Sequence, residues 1–287
     1  MLYAVTHTTT YQYTEPVSLC HNLVHLRPRT VPGQSCHQTH LVVQPAPRKI
    51  QELHDYFGNP IAFFTIQEPH KKLQITAKHR IEVGSRGSEA RGTLPWEAVR
   101  DAVRSDTSLL DACSFTYDSR YVRRGADLAA YASPSFAPGR AIADAVRELT
   151  ERIHRDFRYD AQATTLATPL SEVLERRHGV CQDFAHLAIG CLRSLGLPAR
   201  YVSGYLRTRP PAGRARLIGA DASHAWVSAY CGDSGWIDFD PTNNMIPSND
   251  HITIAWGRDY DDVSPVKGVI LGGGEHTMAI AVDVAET

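Results

Sequence analysis

The period of the apolar positions changes twice along this 287-residue chain, which rules out a fold built from helices or strands alone. From Met1 to about Gly84 the period is two. In LYAVTHTTTYQY, the side chains of Tyr3, Val5, His7, Thr9, Tyr11 and Tyr13 share one face, as alternate residues of a strand do. THLVVQ, IAFFTIQ and LQITAKHRIEV follow, punctuated by turn text at FGNP and EPHKK. From Gly139 the period lengthens to three or four: Ile142, Val146, Leu149, Ile153 and Phe157 line one stripe. A second helix is expected with Thr168 as cap, Pro169 at its first position and Gly179 at its end, and a third carries Phe184, Leu187, Ala188, Cys191, Leu192 and Leu195 as far as GLP. The segments ARYVSGYL, HAWVSAY and WIDFDP return to strand character. The expected fold class is α+β: an all-β antiparallel N-terminal domain over 1–84, a connecting, partly helical segment over 85–138 containing PWEAVRDAVRS, and a core with its C-terminal strands over 139–287.

Composition narrows the function classes. Thirty basic and 31 acidic residues give a net charge of −1, so no global field recruits nucleic acid or an anionic membrane. The start, MLYAVTHTTTYQY, has no basic segment leading into an apolar run, and no stretch approaches the apolar length of a membrane span. A cytoplasmic protein is expected. Six cysteines without paired spacing fit reduced thiols better than a disulfide framework.

Two of those cysteines, Cys181 and Cys191, lie in RRHGVCQDFAHLAIGCLRSLGLP in similar company but at different helical positions. Cys191 falls on the apolar stripe, where a thiol is a small hydrophobe. Cys181 opens the helix, where unpaired N–H groups and the positive dipole end favour a thiolate. A nucleophilic thiol also needs a base and a group to orient it. The strands HAWVSAY and WIDFDP, joined by CGDSG, supply both: pairing Tyr230 with Trp236 sets Trp226 opposite Asp240 and leaves His224 and Asp240 as diagonal neighbours on one face. His178 and His186 are closer to the thiol in sequence but lack this combination, and His186 is turned about 140° from Cys181 around the helix. Asp183 is placed to cap the first turn. Cys20, His21, His25, Cys36, His37 and His40 cluster in sequence without any standard zinc spacing, so no metal or cofactor is expected.

The motifs RRHGVCQDFAHL, ASHAWVSAY and WIDFDPTNN, in that order, resemble the cysteine, histidine and aspartate motifs of the transglutaminase-like superfamily, whose core is a papain-like thiol-enzyme fold. HTTTYQYTEPVSLCHNLVHLRPR, FGNP and WGRDYDDVSPVKGV extend the resemblance to a prokaryotic branch with an N-terminal β-domain. It implies Cys181 as nucleophile, His224 as general base and acid, and Asp240 as the orienting carboxylate. The implied substrate is an amide bond of a peptide or protein, with hydrolysis expected ahead of transfer to a second amine. A catalytically inert binding module of the same fold is the competing reading. Tyr159 is a candidate oxyanion donor or a packed or surface tyrosine. Trp226 is a cleft wall or a core residue. Arg207, Arg209, Arg214 and Arg216, in RTRPPAGRAR, either edge the cleft as carboxylate partners or form a solvated loop.

Overall fold

The computed structural model describes residues 1–84, 93–166, 168–207 and 222–287. Its first element, β1 (Leu2–Val24), is a 23-residue strand, far longer than its alternating start required. β2 (Gln34–Gln44), β3 (Ile50–His54), β4 (Pro60–Ile66) and β5 (His70–Val83) follow. The first half of β1 lies between β5 on one edge and a C-terminal strand on the other, with Thr6 opposite both Lys78 and Asp283. Its second half lies between β4 and another C-terminal strand, with Cys20 opposite both Ile66 and Ile270. The register breaks between Gln12 and Val17, where Pro16 has no N–H to give to a ladder.

The helical middle comprises α1 (Trp96–Ser105), α2 (Leu110–Ser114), α3 (Ala126–Ala132) and α4 (Ile142–Asp156), then β6 (Arg158–Tyr159), α5 (Leu170–Arg176), β7 (His178–Gly179) and α6 (Cys181–Ser194). After it come β8 (Ala199–Leu206), β9 (Ala222–Tyr230), β10 (Trp236–Phe239), β11 (His251–Gly257) and α7 (Tyr260–Val263). β12 (Val266–Gly272) and β13 (His276–Glu286) close the chain. The order β10-β9-β8-β11 makes an antiparallel four-stranded sheet on which α6 packs. This mixed architecture, a helical layer on an antiparallel sheet preceded by all-β structure, is the α+β fold the sequence implies.

The C-terminal strands bridge the two parts of the fold. β12 and β13, which the sequence groups with 139–287, belong to the seven-stranded sheet built on β1. Their interior positions show why: Val282 and Val284 are buried with Tyr3, Val5, Ile81 and Val83 in the same core as α4, α6 and β8. A second core, holding Val17, Cys20, Val24, Phe64, Ile66, Leu73 and Ile75, fills the N-terminal β-structure. The two halves are therefore stitched by one strand that serves both. Side-chain ties reinforce the seam: His7 Nδ1 and Tyr205 Oη are 3.0 Å apart, and Gln34 Nε2 donates to the Thr253 carbonyl at 2.7 Å.

Replacing Val282 and Val284 together by alanine should cost about 3 kcal/mol in urea unfolding, from lost burial plus residual cavities. Ile280→Ala, on the same strand but 50% exposed, should stay within about 0.5 kcal/mol. Equal small effects would show that the C-terminal strand does not contribute to the shared core.

Candidate active site

α6 begins at Cys181, after Val180 in an extended conformation. Valine has no polar side chain to cap the helix, so the cap is made in the other direction. Asp183 Oδ2 accepts the Val180 N–H at 2.8 Å and the Thr164 hydroxyl at 2.6 Å, as the sequence reading of Asp183 anticipates. Burial nevertheless raises the Asp183 carboxyl above its ordinary range, with these two bonds opposing it. This contact needs Gly179, because a Cβ there would stand 2.7 Å from Asp183 Oδ2. Gly179 does not end the preceding helix, as expected from sequence. That helix stops at Arg176, and the left-handed residue after it is Arg177 (φ 58°), stacked over Tyr131 and Phe157. Nor does Thr168 cap it: Pro169 is the N-cap, and the Thr168 hydroxyl accepts the Thr165 N–H. Cys181 is thus half-buried, with its thiol at the end of α6 where N–H groups have no intrahelical acceptor.

The hairpin that faces it has the register read from sequence, from Tyr230↔Trp236 to Val227↔Phe239. β10 stops at Phe239, and Asp240 enters a tight loop closed by paired backbone bonds to Met245 with Asn244 in the left-handed region (φ 51°). From there the carboxylate meets its neighbours. His224 Nε2 donates to Asp240 Oδ2 at 2.8 Å, and the Cys181 thiol is near enough to the same ring to help raise its pKa. Burial disfavours the charged imidazolium. The hydrogen bonds to Asp240 and Cys181 and the charges of both partners outweigh it and push the His224 pKa up to about 10. Asp240 is itself fully buried, which alone would raise its pKa. Bonds from His224, His251 and Asn243 hold it well below the usual carboxylate range instead.

Two residues at this cluster have no counterpart in the sequence reading. Asn243 Nδ2 donates to Asp240 Oδ2 at 2.7 Å and lies 3.3 Å from His224 Nε2. His251, fully buried on β11, donates Nε2–H to the same carboxylate oxygen at 3.1 Å. Asn243 follows Asp240 closely enough in DPTNN to have been a turn candidate. His251 comes from a different strand and carried no local signal.

The remaining candidates separate. Trp226 is not a cleft wall. It is fully buried, its indole N–H donates to Asp238 at 3.0 Å, and its ring lies so close over Gly204 that a Cβ there would stand 2.5 Å from it. Tyr159 is 54% exposed, and burial and the nearby Cys181 charge together raise its pKa. It borders the thiol. Arg207 does not edge the cleft as a free cation: it pairs with Glu286 at 2.7 Å and Asp250 at 3.6 Å, tying β8 to β13. Arg209, Arg214 and Arg216 lie outside the described residues. His186 is a core residue whose Nε2 accepts the Tyr260 N–H at 3.1 Å, and burial lowers its pKa to about 3. The N-terminal cysteines and histidines go to separate partners: Cys20 to Asn22, His21 to Thr65, His25 to Asp55, and His37 to Glu82. Among the described residues, the side chains close enough to share an ion are instead His224, Asp240 and His251. Their hydrogen bonds already account for this approach.

Comparison with known proteins gives the family and the fold. Residues 3–82 match the bacterial transglutaminase-like N-terminal region, and residues 129–241, which hold Cys181, His224 and Asp240, match the transglutaminase-like superfamily. An uncharacterized protein of Mycobacterium tuberculosis strain H37Rv is 40% identical over 291 residues, covering 98% of this chain and 92% of its own length. A Pseudomonas aeruginosa protein-glutamine gamma-glutamyltransferase is 31% identical over 123 residues, 38% of this chain and 18% of that one. In solved structures, a Cytophaga hutchinsonii protein provisionally named a cysteine protease superposes with a TM-score of 0.76 at 24% identity, covering 100% of this chain and 91% of that one. That likeness establishes the fold.

Because the folded-state pKa of His224 is raised, the stability it contributes is fully present below its ordinary value of 6.5 and is lost as pH rises through about 10. In Asp240→Asn the ring loses its anionic partner, and its titration, followed by NMR of labelled histidine, should fall by at least about one pH unit. An unmoved titration would mean that Asp240 does not set the charge of the ring.

Proposed function

We propose that this chain, which belongs to the transglutaminase-like superfamily, is a thiol enzyme acting on amide bonds of peptide or protein substrates, with Cys181 as nucleophile, His224 as base and acid, and Asp240 as orienting carboxylate. One observation carries the reading: a half-buried thiol at a helix N-terminus stands near an imidazole whose Nε2 is bonded to a buried carboxylate. Those are the parts that activated-nucleophile chemistry needs within hydrogen-bond reach.

The steps follow from the positions. With His224 held as imidazolium, Cys181 attacks as thiolate, and the amide carbonyl becomes a tetrahedral oxyanion. The Cys181 backbone N–H, at the open end of α6, faces the developing charge, and the phenol of Tyr159 is a second donor at the rim. Collapse breaks the C–N bond while His224 gives its proton to the departing amine. A thioester remains on Cys181. Neutral His224 then takes a proton from water, which adds to the thioester and releases the acid and the thiolate. A primary amine in place of water yields a new amide by the same movements. Hydrolysis is the preferred outcome, because water is abundant and transfer needs a site that holds an amine while excluding water. The likeness to a protein-glutamine gamma-glutamyltransferase over part of the chain supports amine transfer as the second reading.

The six thiols differ in ways that make a direct test. Cys191 and Cys231 are buried and their pKa values are pushed up to about 12, and Cys20 is also buried and raised. Iodoacetamide at neutral pH should therefore alkylate Cys181 first, by peptide mapping, and His224→Ala should slow that alkylation about 100-fold. Indiscriminate labelling would favour the inert module. Incubating Cys181→Ser with cell-derived peptides, then weighing the intact protein, should reveal an ester-linked acyl group. Adding methylamine to the wild-type reaction separates hydrolysis from transfer: dominance of the methylamide product would reverse the stated preference.

A further inference from the structure

The carboxylate of Asp240 carries more donors than a triad requires. Its Oδ1 accepts the N–H groups of Thr242 at 2.9 Å and Asn243 at 3.2 Å, while Oδ2 takes His224, Asn243 and His251. A carboxylate offers about four lone-pair sites, so five donors fix it in rotation and leave it no alternative orientation. Four of them come from its own loop or from the base. His251 is the donor contributed by a separate strand.

The orientation of the His251 ring follows from its two nitrogens. Nδ1 accepts the Ser248 backbone N–H at 3.3 Å, within a turn closed by the His251 N–H to the Ser248 carbonyl at 3.1 Å. With Nδ1 turned to the Ser248 N–H, Nε2–H points at Asp240. Trp226 packs edge-on against it, with centroids 5.3 Å apart at 87°. Among the described residues, the charged and titratable groups around the cluster include Asp240 after β10, His224 on β9, and Cys181 at the start of α6 with Tyr159 beyond it; Asp250, next to His251 in sequence, faces Tyr3 and Arg207.

We propose that His251 is a positioning residue, a hydrogen-bond donor from a separate strand that fixes the Asp240 carboxylate so that its charge is available to His224 and the ring stays aimed at Cys181. The assignment rests on the thiol-enzyme reading above for its consequence in catalysis, but its effect on His224 exists in the resting protein. A metal ion shared by His224, Asp240 and His251 is the competing account of the same closeness.

The test compares His251→Ala and His251→Gln with wild type, in the full chain, by NMR titration of His224 and by the pH dependence of Cys181 alkylation. In His251→Ala the carboxylate is freed, the His224 titration moves to lower pH, and the alkylation rate at neutral pH falls about tenfold. His251→Gln, whose side-chain amide can donate to Asp240, restores both towards wild type. An unchanged titration and rate in His251→Ala would overturn the proposal. So would equal loss in both variants accompanied by equal loss of thermal stability, since that pattern marks a merely packed residue. Stoichiometric metal in untagged wild-type protein, whose removal by chelator shifts the His224 titration only when His251 is present, would replace the donor with a ligand. If Cys181 proves no more reactive than the other thiols while the His224 titration still responds to His251, the catalytic reading fails and the positioning contact stands.

Discussion

A carboxylate with no exposed surface is tenable only when its charge is met by donors, and Asp240 meets that condition with two ring N–H groups, a side-chain amide and two backbone N–H groups. The rest of the site is arranged around that need. The hairpin supplies His224 at fixed register, the tight loop after β10 supplies its own N–H groups, and β11 supplies His251 from beyond the hairpin. The charge so stabilised is what keeps the His224 imidazolium in place beside a thiol, although burial acts against it.

The thiol depends on a different local device. A valine precedes α6 and cannot cap it, so Asp183 reaches back from the first turn, and only glycine at 179 leaves room. The short parallel pairing of β6 with β7 sets Tyr159 opposite Gly179, which brings a phenol to the rim of the site. Cys191, ten residues on, is a chemical contrast on the same helix. Its surroundings are apolar, and burial pushes the thiol pKa up to about 12. Position along one helix separates a half-buried sulfur at its open end from a packing one.

The N-terminal half is not a detachable appendage. β1 pairs along its length with strands from both ends of the chain, and its first half shares a core with α6 and β8. Stacked cations strengthen the junction. Arg29 lies 3.6 Å over Trp256, and Arg200 lies 3.8 Å over the same indole and 4.4 Å from Trp236. His251 and Trp256 are on β11, so the strand that steadies Asp240 is also the one gripped by the N-terminal half. Among the described residues no helix is long and apolar enough to cross a membrane.

Much of this was readable in the chain itself, because it rests on short-range rules. The period-two and period-3.6 stripes located β1, β2, β4, β5, α4 and α6. The GVC break put Cys181 at a helix start, and the spacing of HAWVSAY and WIDFDP fixed a hairpin register that brings His224 and Asp240 together. Local text misassigned Gly179 and Thr168, where a collision with Asp183 and an unusual Arg177 conformation govern instead. It could not decide whether Trp226 and Arg207 face substrate, because burial under a neighbouring strand and pairing with the far C-terminus are tertiary facts. Nor could it place the C-terminal strands on β1 or bring His251 to Asp240. Alternation states that a residue faces one side of a strand; which strand lies alongside, and what waits on that side, is settled only when the chain closes on itself and the cost of burying each polar group has to be met by a particular partner.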